Sequence, residues 1–127
     1  MDSKTDIETF PRRLTTREAE TLAFMLSETD RALDPFRKQA TVVAVSGRCS
    51  CGCPTIDLAV DRTKSAPADA GGIVASTNSR FGVEPFYWLT LREQDGWLSQ
   101  LRLSYVDEPP PHEFLPTDVF EPPDGSN

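Results

Sequence analysis

Histidine is nearly missing from this chain of 127 residues, and the one present is His112. A Ser-His-Asp or Cys-His arrangement would have to recruit it as its base. It lies beside Pro109-Pro110-Pro111, a setting that preorganises a base poorly. Cysteine is absent outside one short segment, where Cys49, Cys51 and Cys53 crowd together. An odd, local set of this kind is not the disulfide framework of a small secreted domain. No apolar stretch approaches the roughly 20 residues of a membrane span. The opening residues lack the apolar core of a secretory signal, so a cytoplasmic location is expected. A cationic surplus is also lacking: 13 Lys and Arg face 20 Asp and Glu, for a net charge of -7. That argues against a general affinity for nucleic acid or anionic membrane, and neither is expected as a partner. Phosphate-binding loops are missing, since Gly71-Gly72 is not followed by Lys-Ser/Thr and no G-x-G-x-x-G occurs. Asp57 and Asp61 share one face of an expected strand about 13 Å apart, beyond the roughly 5–9.5 Å of a glycosidase pair. These absences argue against an enzyme.

Charge and proline are unevenly spread. Residues 107–127 hold six acids, six of the eleven prolines and no Lys or Arg. Proline fixes φ and removes a donor, so this segment cannot run as a helix or a central strand. It reads as an extended or disordered acidic tail. Phe114, Leu115, Val119 and Phe120 interrupt it. They either pin the tail to the domain or mark a docking segment. With residues 1–13 carrying no periodic signal, the expected organisation is a flexible N-terminus (1–13), one domain (14–106) and a tail (107–127).

Within the domain the sequence reads as α+β. Thr15 and Glu18 form a capping box. Ala19, Leu22, Ala23, Met25 and Leu26 follow as an apolar stripe, which predicts a helix over about 15–28. Asp34-Pro35 predicts a short second helix near 35–40, or one starting at Asp30. Thr41–Val45 is β-branched, and Thr55–Asp61 alternates with Ile56, Leu58 and Val60 on one side. Residues 62–72 read as a loop, and Ile73–Ala75 as a weaker strand. Residues 85–93 and 97–106 flank Gln94-Asp95-Gly96 as a hairpin. A two-residue turn would set Leu91 against Gln100 and Leu89 against Arg102. A three-residue loop pairs Leu91 with Ser99, Leu89 with Leu101 and Tyr87 with Leu103, and is preferred because one slip flips every side chain. Phe86 and Trp88 then share the polar face with Arg102, as cover for another element or as a partner-binding surface. The sum is one or two helices on a mainly antiparallel sheet of four or five strands.

Arg48-Cys49-Ser50-Cys51-Gly52-Cys53-Pro54 joins the first two strands. Thiolates favour zinc, Cu(I) or iron. In a straight strand Cys49 and Cys51 stand about 6.5 Å apart. Two sulfurs on one tetrahedral zinc lie roughly 3.8 Å apart. To chelate one ion the backbone would have to curl, which Gly52 and Pro54 permit. His112, Asp57 and Asp61 are the candidates for a fourth ligand. Three readings stay open: buried structural thiols, a metal site of Cys49, Cys51 and Cys53, or redox chemistry through a C-x-C disulfide.

The segments Arg48–Leu58 and Asp95–Leu101 resemble motifs of small uncharacterised bacterial proteins. Those proteins similarly combine a capped helix, a C-x-C-G-C-P turn and a hairpin followed by a proline-rich tail. The resemblance implies the same fold and no particular activity. Size, acidity and fold class are also similar to those of immunity proteins that neutralise toxins. The expectation is a non-enzymatic module without a cofactor that binds a basic protein partner. The alternative is a metal-binding or redox-active thiol protein.

Overall fold

The computed structural model describes residues 9–83, 86–106 and 110–125. Thr15 ends the extended entry. Its hydroxyl accepts from the Glu18 N–H at 3.1 Å, and the Glu18 carboxylate accepts from the Thr15 N–H at 2.9 Å. This is the expected capping box. Helix α1 spans Thr16–Met25. Its buried stripe is Glu18, Thr21, Leu22 and Met25, continued by Leu26. Ala19 and Ala23, expected to face inward, are exposed. The stripe is rotated because Arg12 holds Glu18 down with two hydrogen bonds, at 2.8 and 3.0 Å. Burial raises the Glu18 pKa, but the Arg12 guanidinium and the Thr15 N–H outweigh it and hold the carboxyl below its ordinary range.

Both readings of the second helix are partly right. Asp30 caps a 3-10 turn over Arg31–Leu33, which runs straight into helix α2 at Asp34–Ala40. Pro35 sits in the first turn of α2, where its missing donor is harmless. Phe36 and Gln39 are fully buried.

The strands are β1 (Val43–Arg48), β2 (Ile56–Val60), β3 (Ile73–Asn78), β4 (Tyr87–Gln94), β5 (Trp97–Tyr105) and the two-residue β6 (Asp124–Gly125). They form one antiparallel sheet in the order β1-β2-β5-β4-β3-β6. The helices lie on one face: α1 meets β4 and α2 meets β5. Val45, Ile56, Leu58, Leu89, Leu91, Leu101 and Leu103 point into that core. Thr90, Arg92, Gln100 and Arg102 sit in the opposite row, as their alternation requires. Among the described residues no helix is long and apolar enough to cross a membrane.

The hairpin corrects the expected register. The turn has two residues, with φ of 54° at Asp95 and 91° at Gly96, and Gln94 pairs with Trp97. Both positive φ values define the turn whose twist suits a hairpin. One step later a bulge at Ser99 shifts the ladder, so Leu91 meets Leu101 and Leu89 meets Leu103. The apolar rows meet as the burial pattern demands. The bulge, and not a longer loop, absorbs the extra residue.

The described part of the tail, residues 110–125, belongs to the packed unit. Phe114 and Phe120 are each 1% exposed. Arg17 donates to the Phe114 carbonyl at 2.8 Å, and the Arg80 N–H donates to the Val119 carbonyl at 2.8 Å. Residues 124–125 then add to the β3 edge. At the other end, Arg12 bridges Val45. Ordered packing therefore extends beyond 14–106 in both directions.

Gln39 fastens α2 to the hairpin. Its Nε2 donates to the carbonyls of Ala66 at 2.9 Å and Gly96 at 2.8 Å, and its Oε1 accepts from the Leu98 N–H at 2.8 Å. Gly96 is required here twice over. Its φ is positive, and an added Cβ would stand 2.7 Å from the Ala68 carbonyl. Gln39→Ala leaves buried backbone groups unpaired and is expected to cost about 3 kcal/mol in denaturant unfolding. A change below about 0.5 kcal/mol, the scale of an ordinary surface substitution, would contradict this role.

Candidate metal centre

The first two strands pair as far as Arg48 with Ile56, leaving residues 49–55 to close the loop. The Cys49 N–H donates to the Thr55 carbonyl at 3.1 Å, which carries the ladder one step further. The chain must then reverse within a few residues. Gly52 makes this possible at a φ of +93°, with open space around it, so backbone freedom and not crowding selects glycine there. The Gly52 N–H reaches the Cys49 carbonyl at 3.5 Å. The Cys51 N–H points at Cys49 Sγ at 3.5 Å, and the Cys53 N–H at Cys51 Sγ at 3.4 Å. Each amide thus turns toward the sulfur two residues earlier.

The three sulfurs converge. All lie within 4.8 Å of one another, and Cys49 Sγ and Cys51 Sγ are 2.7 Å apart. The curl removes the separation of about 6.5 Å that an extended strand imposes. Exposure is graded: Cys51 is exposed, Cys49 half-buried and Cys53 buried. All three are free thiols. The loop is pinned to β5 through Thr55, whose hydroxyl accepts from the Leu103 N–H at 3.0 Å.

A cavity of about 400 Å³ adjoins the sulfurs, and Thr55, Asp57, Gln100, Arg102 and Tyr105 share its lining. Hydrogen bonds from Cys49 and then Cys53, with a smaller contribution from nearby Tyr105, lower the Cys51 pKa from 9.0 to about 7. Cys49, held as the thiol beside Cys51, is raised. The Tyr105 phenol is raised by desolvation first and by the charge of Cys51 second.

Among the described residues, the group of mutually close ligand atoms is Cys49, Cys51 and Cys53. His112, considered from sequence as a fourth ligand, is exposed and outside that group. The reason is local: Arg48 holds the His112 backbone carbonyl at 3.5 Å, and this contact does not bring the imidazole among the sulfurs. Phe86 and Trp88 form an edge-to-face pair with centroids 4.7 Å apart, and Trp88 is 41% exposed. They do not line the thiol cavity, whereas Arg102 does. Thr55 and Tyr105 were not singled out from sequence. Their roles follow from the pairing of β2 with β5, which is not sequential and leaves no local signal.

A larger cavity, about 590 Å³, lies by the 67–72 loop and the hairpin turn. Its Glu93 carboxylate is already engaged, accepting from the N–H groups of Gly72 at 2.7 Å, Gly96 at 2.8 Å and Ala70 at 3.3 Å. It staples the loop to the turn.

In comparisons with known proteins, no family model matches this chain, and no curated protein or solved structure matches it significantly.

The thiol geometry sets a pH dependence. A lowered pKa means that the Cys51 thiolate is present above about pH 7 and is lost as the pH falls through that value. Alkylation of metal-free protein by iodoacetamide, mapped to Cys51 by peptide mass, should reach half its plateau rate near pH 7. Cys49→Ala removes the principal donor and should move that midpoint upward. A wild-type midpoint near 9, unchanged in the variant, would contradict the assigned hydrogen bonds.

Proposed function

We propose that this protein binds one thiophilic metal ion, with zinc as the first candidate, through the thiolates of Cys49, Cys51 and Cys53. The observation that carries this reading is the convergence of three sulfurs on a single turn. Zinc takes sulfur ligands at about 2.3 Å, which places neighbouring sulfurs roughly 3.8 Å apart. The Cys49–Cys51 separation of 2.7 Å must open by about 1 Å, a side-chain adjustment that leaves the ladder intact. Three thiolates leave the fourth position of a tetrahedral ion for water or an external ligand, on the side of the cavity that Asp57 and Arg102 line. Tyr105 lines the same cavity as the sulfurs and is the candidate outer-sphere partner for Cys51. Binding releases protons, because the ligands must be thiolates.

The acidic binding module expected from sequence has less to support it. The tail that would serve as its docking segment spends Phe114 and Phe120 in the core. The charge of -7 favours encounter with a basic partner but defines no site.

Titration of reduced protein with Co(II) in place of zinc tests the metal reading. One equivalent should produce sulfur-to-metal charge-transfer absorption, and zinc should displace it stoichiometrically. Each single Cys→Ser exchange should weaken binding by more than the roughly 10- to 100-fold that loss of an outer-sphere partner costs. Weak binding that all three variants share with the wild type would sink the proposal.

A further inference from the structure

The three sulfurs are not equivalent. Cys49 and Cys51 approach to 2.7 Å, far inside the roughly 3.8 Å spacing of a metal-bound pair. Cys51 is exposed, Cys49 stands half-buried beside it, and Cys53 is buried. An accessible thiol with a second thiol in reach is the arrangement that thiol–disulfide exchange requires: one sulfur attacks and its neighbour resolves. The adjoining cavity of about 400 Å³ gives a small reactant room against these sulfurs.

The same cavity carries a charge preference. Arg102 lines it, is exposed, and has no carboxylate partner among the described residues. It is the one basic residue among those that line the cavity. The planar guanidinium matches a carboxylate with two parallel hydrogen bonds. Asp57, the carboxylate of the cavity, is engaged by the Gln100 side chain at 3.4 Å.

We propose that Cys51 and Cys49 form a dithiol exchange site for small carboxylate-bearing disulfides, which enter the cavity against Arg102. The Cys51 thiolate attacks one sulfur of the incoming disulfide. A Cys51–substrate disulfide forms and the first substrate thiolate leaves. Cys49, as thiolate, then attacks Cys51 Sγ, forms the Cys49–Cys51 disulfide and expels the second substrate thiolate. The protein loses two electrons and two thiol protons, and the substrate gains both as two thiols. This activity shares the cluster with the metal reading but needs two of its three sulfurs. Metal binding and exchange are mutually exclusive at Cys49 and Cys51.

Cys53→Ser therefore separates the two readings, because it removes a metal ligand and spares the dithiol. The test treats reduced, metal-free C53S protein with oxidised glutathione and, in parallel, with neutral hydroxyethyl disulfide. C53S should form the Cys49–Cys51 disulfide, lose both alkylatable thiols and carry no adduct. The Cys49→Ser variant in the same background should stop at a single glutathione adduct on Cys51. Arg102→Gln should slow the reaction with oxidised glutathione about threefold, the worth of a solvent-exposed ion pair, and leave that with hydroxyethyl disulfide unchanged. Retention of both thiols in C53S, or an equal effect of Arg102→Gln on both disulfides, would overturn the proposal. Exchange in a protein that fails to bind Co(II) would retain it and reject the metal reading alone.

Discussion

The antiparallel closure of β1 on β2 is the constraint from which the thiol chemistry follows. Arg48 opposite Ile56, extended by the hydrogen bond from Cys49 to Thr55, fixes the two ends of a loop only seven residues long, 49–55. A chain so short cannot reverse while staying extended. Three cysteines at alternate positions, which a flat strand would hold apart, are drawn together by the same curl that closes the loop. Gly52 supplies the left-handed residue, and Thr55 ties the exit to β5. The cluster is therefore a consequence of strand pairing and does not depend on a contact between sulfurs.

The rest of the fold keeps that corner rigid. β5 lies between β2 and β4, so the strand that anchors Thr55 is itself held along both edges. Its far end is fixed by the hairpin turn, where Gln39 satisfies two carbonyls and one amide from inside the core. Buried polar groups of this kind are costly when unpaired and specific when satisfied, so Gln39 sets where α2 sits on the sheet. The C-terminal segment closes the other side by filling the core with Phe114 and Phe120. Its backbone bends through a 3-10 turn at Thr117–Val119, its acids face outward, and its aromatic residues do the packing.

Local structure was legible in the sequence wherever the signal was local. The Thr15–Glu18 capping box, the alternation of Ile56, Leu58 and Val60, and the loop over 62–72 all followed from neighbours a few residues apart. That Gly52 permits a curl was legible too, and the chain does reverse there at a φ of +93°. The failures arose where distant residues decide. Ala19 and Ala23 turned outward because Arg12, outside the helix, holds Glu18 inward. The hairpin register depended on a bulge at Ser99, next to the Leu98 amide that Gln39 holds from another element. Tyr105 and Thr55 join the site through a strand pairing between β2 and β5, more than forty residues apart. The pinning role of the tail was one of two readings, because proline and acid describe its backbone while the space that Phe114 and Phe120 fill belongs to the rest of the fold.

Three thiols of graded exposure, with Tyr105 and Arg102 lining the cavity beside them, make a compact site on a small sheet. As thiolates they suit a thiophilic metal ion. Without metal, the outer two suit two-electron exchange. The central claim is that the turn brings all three sulfurs to one point. X-ray absorption at the zinc edge of stoichiometrically loaded protein tests it most directly. The account predicts three sulfurs at about 2.3 Å and one lighter atom. A shell of oxygen and nitrogen alone, or a single sulfur, would contradict it.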